Sequence, residues 1–232
     1  MKCKIGYFLV LLAMVMISGS HQQASAAHIL GVTATASTID GDNVTNLGPQ
    51  LAVNGAGLDP NDPHGFHQAA SGPHSWSSKR APDQSFIVGS WHMTDLGGLY
   101  ALDKVDIWNY GGSRSERGFR ITDIFLSDAI SPGSDFTDPE WTQAYDDVEL
   151  AKMSPEDTDF LKTDSLVLSG NARHVGFVGV TNWDDSGGTD LGNLKTGVSE
   201  LQYFGTFIPE PQSCILLAIG MLGVLRLRSG RH

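Results

Sequence analysis

Cysteine is almost missing from this chain: the two that occur, Cys3 and Cys214, sit in apolar segments near its ends. Everything between them must therefore be stable without a disulfide framework, even in an oxidising compartment. Basic residues are also scarce, 15 against 26 acidic ones. Setting aside Lys2, Lys4, Arg226, Arg228 and Arg231 at the ends, together with Glu210, leaves 10 minus 25, a net charge of −15 on the middle of the chain. A strongly anionic surface repels phosphate, which excludes nucleic acid as a partner and fits solubility in a saline or calcium-containing medium. Long apolar runs are missing too. The apolar stretches Ile5 to Ile17 and Cys214 to Leu225 hold about 13 and 12 residues, short of the roughly 20 that cross a bilayer as a permanent helix. No helical period of any length occurs between residues 31 and 207, which argues against an α-helical domain.

The two ends have a definite order. At the start, Lys2 and Lys4 precede the apolar run, and Ala24-Ser25-Ala26 follows it. Basic, apolar and A-x-A in that sequence make a secretory signal, removed after Ala26; an uncleaved anchor is the alternative. At the far end, Pro209-Glu210-Pro211 is followed by the second apolar stretch and then by Arg226, Arg228 and Arg231. Basic residues after an apolar segment stay on the cytoplasmic side. This tail resembles the PEP-CTERM sorting signal. The resemblance implies handling by an exosortase-type membrane protease and transient membrane association, with Pro209, Glu210, Pro211, Arg226 and Arg228 as sorting residues. The arginines are interrupted by Leu227, Ser229 and Gly230. The expected organisation is a signal peptide over 1–26, one domain over 27–208, and a sorting and membrane segment over 209–232. About 180 residues suffice for one domain with a substantial core.

Inside that domain, short apolar-alternating runs are separated by Gly, Asp, Asn and Pro, the pattern of a sandwich or barrel. Strands are predicted at GVTATAST from Gly31, SFIVGSWHMTDL from Ser85, LDKVDIWNY from Leu102 and FRITDIFLSD from Phe119. Four more follow: WTQAYDDVEL from Trp141, SLVLS from Ser165, HVGFVGVTNW from His174 and GVSELQYFGTF from Gly197. Asp95-Leu96-Gly97-Gly98 is read as a turn ending a strand, with glycine supplying a positive φ. Trp91 and Trp108 are assigned to the core, and Trp183 to the edge of a mobile polar loop. The long irregular pieces are 54–83, 109–118, 128–139 and 182–196; loops of that length bind something or are disordered.

Motifs for catalysis do not hold together. Asp185-Ser186-Gly187-Gly188 looks like the surroundings of a serine nucleophile, but no histidine stands in a matching context. The adjacent acids Asp146-Asp147 and Asp184-Asp185 are read as pointing to opposite faces of a strand and solvated. His64, His67 and His74 share a Pro/Gly-rich loop with Asp59 and Asp62; a solvated loop is the simpler reading than a transition-metal site, which needs fixed geometry. No enzyme is expected.

WHMTDLGGLYALDKVDIWNY from Trp91, RGFRITDIFLSD from Arg117, ARHVGFVGVTNW from Ala172 and GVSELQYFG from Gly197 resemble, in order, a discoidin (coagulation-factor C-type) domain. The resemblance implies an all-β, antiparallel jelly-roll sandwich of the galactose-binding-like type, flanked here by an N-terminal signal helix and a C-terminal apolar helix, with ligands taken by loops at one end. It also implies that segments 109–118 and 182–196 emerge at that end. Such domains often hold a structural calcium through an A-x-D-G loop and a glutamate in the last strand. Here those positions are Ala52-Val53-Asn54-Gly55 and Glu200, so Asn54 replaces the aspartate and the site loses a charge. Sugars need an aromatic platform and hydrogen-bonding groups. Candidates are Trp183 and Asn182, Tyr110, Arg114 and Arg117, and Phe66, His64 and His67. The expected function is an exported, non-catalytic module recognising a glycan or exopolysaccharide at the cell surface or in the extracellular matrix of a bacterium. The alternative is a structural matrix or adhesion protein binding protein partners or itself.

Overall fold

In a computed structural model, residues 26–39, 47–55, 58–59, 62–67, 75–79, 89–153, 160–183 and 195–210 are described. The expected signal helix and C-terminal apolar helix, with Pro211, Arg226 and Arg228, lie outside them. Eleven strands occur among the described residues: β1 (Ala27–His28), β2 (Thr33–Ala36), β3 (Leu58–Asp59), β4 (Asp62–His67), β5 (Trp76–Ser77), β6 (Trp91–Asn109), β7 (Phe119–Ser127), β8 (Thr142–Glu149), β9 (Phe160–Leu161), β10 (Asp164–Asn182) and β11 (Gly197–Phe207). The fold is an all-β, antiparallel jelly-roll sandwich.

Four of the predicted runs merge into two long strands. β6 and β10 pair along most of their length, from Asp164 opposite Ile107 to Val178 opposite Trp91. The register slips between Val167 and Gly170 and again between Ala172 and His174. Each slip inserts a bulge, and bulges bend strands. Asp95-Leu96-Gly97-Gly98 sits at this bend, where Gly97 has φ +73° and its N–H donates to the Asp95 carboxylate at 2.8 Å. The positive φ is as read from the sequence, but the chain continues as strand beyond it instead of reversing.

The bend makes two layers from one ladder. In one, β2, the start of β6, the end of β10, β7 and β8 lie side by side. In the other, β1 and β5 flank β11, which pairs with the end of β6 and through it with the start of β10. Contacts across the interior close the sandwich: the Tyr203 hydroxyl of β11 meets Thr94 Oγ1 of β6 at 2.9 Å, and the Trp76 ring of β5 lies 6.0 Å from Phe119 of β7. Val105, Ile107, Phe119, Ile124, Val175, Phe177 and Leu201 fill the core between them. Each such side chain, fully buried, contributes about 1.5–3 kcal/mol of apolar transfer free energy.

Two surfaces are covered by what the sequence shows only as loops. Segment 128–141 is ordered: Phe136 lies over Gly176, where a Cβ would strike its ring, and packs with Trp91, Phe125 and Trp141 at centroid distances of 4.7–5.9 Å. Trp91 is therefore only half-buried, belonging to this outer cluster and not to the main core. On the other layer, β3, β4 and β9 form a small second sheet, and Leu58 and Met153 cover Trp108, which is fully buried as expected. Beneath this cover Asp106 accepts from Lys104 Nζ at 2.9 Å, Lys162 Nζ at 3.0 Å and Ser165 Oγ at 2.6 Å. Burial opposes its ionisation, yet the three donors together hold its carboxyl below the usual range.

Candidate functional site

Because β6 and β10 are folded over at their middles, both ends of each arrive at the same end of the sandwich. Asn109 ends β6, Phe119 begins β7, Asn182 ends β10 and Gly197 begins β11. These four are neighbours: Asn182 is opposite Phe119, Gly118 bridges to Gly197, and Asn109 Nδ2 donates to the Phe119 carbonyl at 2.7 Å. Segments 109–118 and 182–196 are thus rooted side by side. The stubs 75–79 join them, with Ser78 N–H on the Thr196 carbonyl at 2.7 Å and Thr196 N–H on Ser78 Oγ at 2.9 Å. The return from β8 joins too, through Asn109 Nδ2 on the Ala151 carbonyl at 2.9 Å.

Asn109 is the knot of this end, and the sequence reading did not single it out. Its side chain also accepts the Tyr110 N–H at 2.9 Å, and it is packed so closely on Gly118 that a Cβ there would stand 2.6 Å from Oδ1. The signal available in the sequence was the Trp108-Asn109 pair at a strand end with a glycine nine residues on.

The sequence candidates have different fates. Tyr110 is not a rim residue: it is 2% exposed, because the side-chain-free Gly197 lets its ring lie against the backbone there. Asn182 is also buried, 6% exposed, and its Nδ2 donates to the Lys195 carbonyl at 2.9 Å, tying the base of the loop. Arg117 is half-buried at the end of a 3-10 helix, Gly112–Arg117, which also contains Arg114. The Arg114 side chain lies outside the described residues. Phe66, His64 and His67 lie in β4, with Phe66 opposite Leu161 and His67 opposite Phe160; their side chains are likewise outside the described set. Trp183 is half-buried. The Arg120 guanidinium lies 5.0 Å from the centre of its ring and is itself held by Glu149 at 3.2 Å. The Trp183 indole N–H is buried without a hydrogen-bond partner among the described residues.

Asn54 and Glu200 are brought together beside this end, where residues 48–55 lie against β11. Glu200 is 1% exposed. Its Oε1 accepts the Gly55 N–H at 3.1 Å, while Oε2 is buried with no partner among the described residues. Burial pushes the carboxyl up to about 8, the Gly55 bond opposing this only in part. Gly55 has φ +69°, so the Asn54-Gly55 turn needs glycine. Asn54 is exposed, and both residues line a cleft of about 620 Å³ that also takes in Gln50, Leu58 and Gln202. A buried carboxylate oxygen lacking a donor, in a cleft shared with the Asn54 side of the loop, fits a hard cation.

Asp146 and Asp147 do not point to opposite faces, contrary to what strand alternation predicts. Thr122 pairs with Val148 and Ile124 with Tyr145, so both acids oppose Asp123 across a bulge, and Asp147 has φ 51°. Their carboxylates do not point apart: with Asp123 they gather within 4.8 Å. Asp146 and Asp147 are exposed and Asp123 is half-buried, at the middle of the β7–β8 pair.

No protein-family model matches the chain, and no curated protein matches it. Solved structures do. An F5/8 type C domain from Bacteroides fragilis aligns with a TM-score of 0.50 at 13% identity, over 79% of this chain and 97% of that one. The fold is discoidin-like. The CpGH89CBM32-5 domain from Clostridium perfringens, in complex with GalNAc-β-1,3-galactose, aligns with a TM-score of 0.46 at 17% identity, over 78% of this chain and 100% of that one. A family 89 glycoside hydrolase from the same organism, in complex with PUGNAc, aligns with a TM-score of 0.43 at 18% identity over 79% of this chain. This chain spans 16% of that enzyme's length. Among the described residues, no helix of this discoidin-like domain is long and apolar enough to cross a membrane.

Proposed function

We propose that the protein is an exported, non-catalytic carbohydrate-binding module whose glycan is taken at the loop end. The observation that carries this reading is the gathering of chain segments at one end of the sandwich, where the buried Asn109 ties the start of β7 and the return from β8 and where Arg117 and Trp183 are half-buried. A rigid base beneath variable segments is how a scaffold presents a binding surface. An arginine and an indole supply what a sugar requires, donors for its hydroxyls and a flat apolar face. The test is a glycan array on the purified domain, including galactose and GalNAc-β-1,3-galactose, followed by titration of Trp183→Ala against the best ligand. Loss of the platform should cost about 1–3 kcal/mol, roughly 5- to 150-fold in affinity, in a variant whose melting temperature is nearly unchanged. Equal affinity would remove Trp183 from the site. An empty array with a protein partner captured instead would favour the adhesion reading.

Calcium belongs to the proposal through Asn54 and Glu200: bound there, it would supply the positive charge that Glu200 Oε2 lacks and fix residues 48–55 on β11. The ends of the chain complete it. Strand β1 begins at Ala27, directly after the proposed signal-peptide cut, and β11 ends at Phe207, just before Pro209-Glu210-Pro211. Processing at both ends by a signal peptidase and an exosortase-type protease would leave little but the folded domain. Intact-mass measurement of protein recovered from its native host should lack both terminal segments, and a mature C-terminus at His232 would contradict the sorting reading.

A further inference from the structure

The chain enters and leaves the domain at the bend, opposite the loop end. Ala27 is paired with Gly205, and Phe207 closes β11 opposite Tyr100. Beyond the strand, the Ile208 N–H donates to the Leu99 carbonyl at 2.8 Å, and Arg173 Nη2 donates to the Glu210 carboxylate at 2.7 Å. The residues that precede the C-terminal apolar run are therefore tied to the bend itself. Only Pro211, Gln212 and Ser213 separate Glu210 from the start of that run at Cys214, a reach of roughly 10–14 Å when extended. At the exit, Phe207 and Tyr100 form an edge-on aromatic pair 5.5 Å apart, and Phe207 is 53% exposed. Half-exposed aromatic rings beside an apolar segment suit the boundary between headgroups and acyl chains.

We propose that the bend end is the face this domain turns towards a lipid surface, with Phe207 at the headgroup boundary and the loop end held away. The separation follows from strand length: the nine residues of β7, Phe119–Ser127, run from one end to the other and span about 30 Å at roughly 3.3 Å per residue. A tail leaving from the loop end would press the candidate glycan site against the membrane; leaving from the bend, it presents that site outwards. The strongly acidic domain selects a zwitterionic surface over an anionic one. The inference rests on reading residues 209–232 as membrane-directed and is independent of the glycan reading.

The experiment uses the chain from Ala27 to His232, made in a host without the sorting protease, with Cys214→Ser. A fluorophore is placed through Asp128→Cys, exposed just beyond the bend-end terminus of β7, or through Ala151→Cys, exposed beside Asn109 at the loop end. Each labelled protein is mixed with phosphatidylcholine and phosphatidylethanolamine vesicles carrying a headgroup quencher. The expected result is vesicle association, quenching at least about threefold stronger from position 128 than from 151, and several-fold weaker association in Phe207→Ser. Absence of association would refute the membrane reading of the tail and the proposal with it. Association with equal quenching, or stronger quenching from 151, would overturn the orientation alone.

Discussion

Glu200 makes a sharp prediction because one of its carboxylate oxygens is buried and unpartnered among the described residues. Without a cation, burial raises the carboxyl from its ordinary value of 4.5 to about 8. Below the lower value both folded and unfolded chains carry the proton, and nothing is lost. Between the two values the unfolded chain gives up its proton while the folded one keeps it, so stability falls as pH rises, by about 1.4 kcal/mol per unit. At pH 7 the accumulated loss is on the order of 3 kcal/mol. For a domain of this size, that corresponds to a melting temperature lowered by about 6–12 °C. Calcium stabilises the ionised form and should restore most of this, more at pH 7.5 than at 5.5. The assay is thermal unfolding across pH 5–8.5 in chelator and in millimolar calcium, for wild type and Glu200→Gln. The amide keeps an acceptor for the Gly55 N–H and cannot ionise, so the variant should lose both the fall with pH and the calcium response. A wild-type melting temperature flat over this range in chelator would refute the reasoning. A fall with pH that calcium leaves untouched would keep the buried acid and remove the metal.

Other consequences concern the supports of the site. His92 is fully buried, with Nε2–H donating to the Pro49 carbonyl at 3.0 Å, and burial lowers it to about 4; the unfolded chain takes up the proton first, so stability should also fall below about pH 6.5. Stability in chelator should accordingly peak near pH 5–6, as a pH series of denaturant melts would show. Asn109→Ala removes three hydrogen bonds in a buried site and should cost about 2–4 kcal/mol, with faster amide exchange at Tyr110, whose N–H loses its acceptor. Asp106→Asn leaves Lys104 and Lys162 without their anion; since both amines are about a third exposed, the loss should be only about 1–3 kcal/mol, measurable by denaturant unfolding. Gly176→Ala drives a Cβ into Phe136 and should cost about 1–3 kcal/mol, freeing segment 128–141 to protease while the main core stays folded.

What the sequence by itself determined is local. Alternation of apolar and polar side chains has a period that does not depend on the partner strand, so the positions of the strands and the all-β class were legible, as was the positive φ at Gly97. The ordered series of motifs from Trp91 to Gly205 made the discoidin-like fold legible as well. Continuity was not: a bulge leaves the alternation on both sides intact and merely out of phase, so β6 and β10 each looked like two strands. That the segments after β6 and β10 share one end was implied by the discoidin resemblance; the tertiary structure decided that this comes about by two long strands folding over at their middles. It also decided burial at that end. Tyr110 has a rim residue's composition and a loop's neighbours, but a glycine 87 positions later, Gly197, opens the space its ring fills. Asp146 and Asp147 gather because the extra residue lies in one strand while its partner, Asp123, lies in another. The end from which the tail leaves depends on the number of turns the chain makes through both layers, a property of the whole ladder that no stretch of residues carries alone.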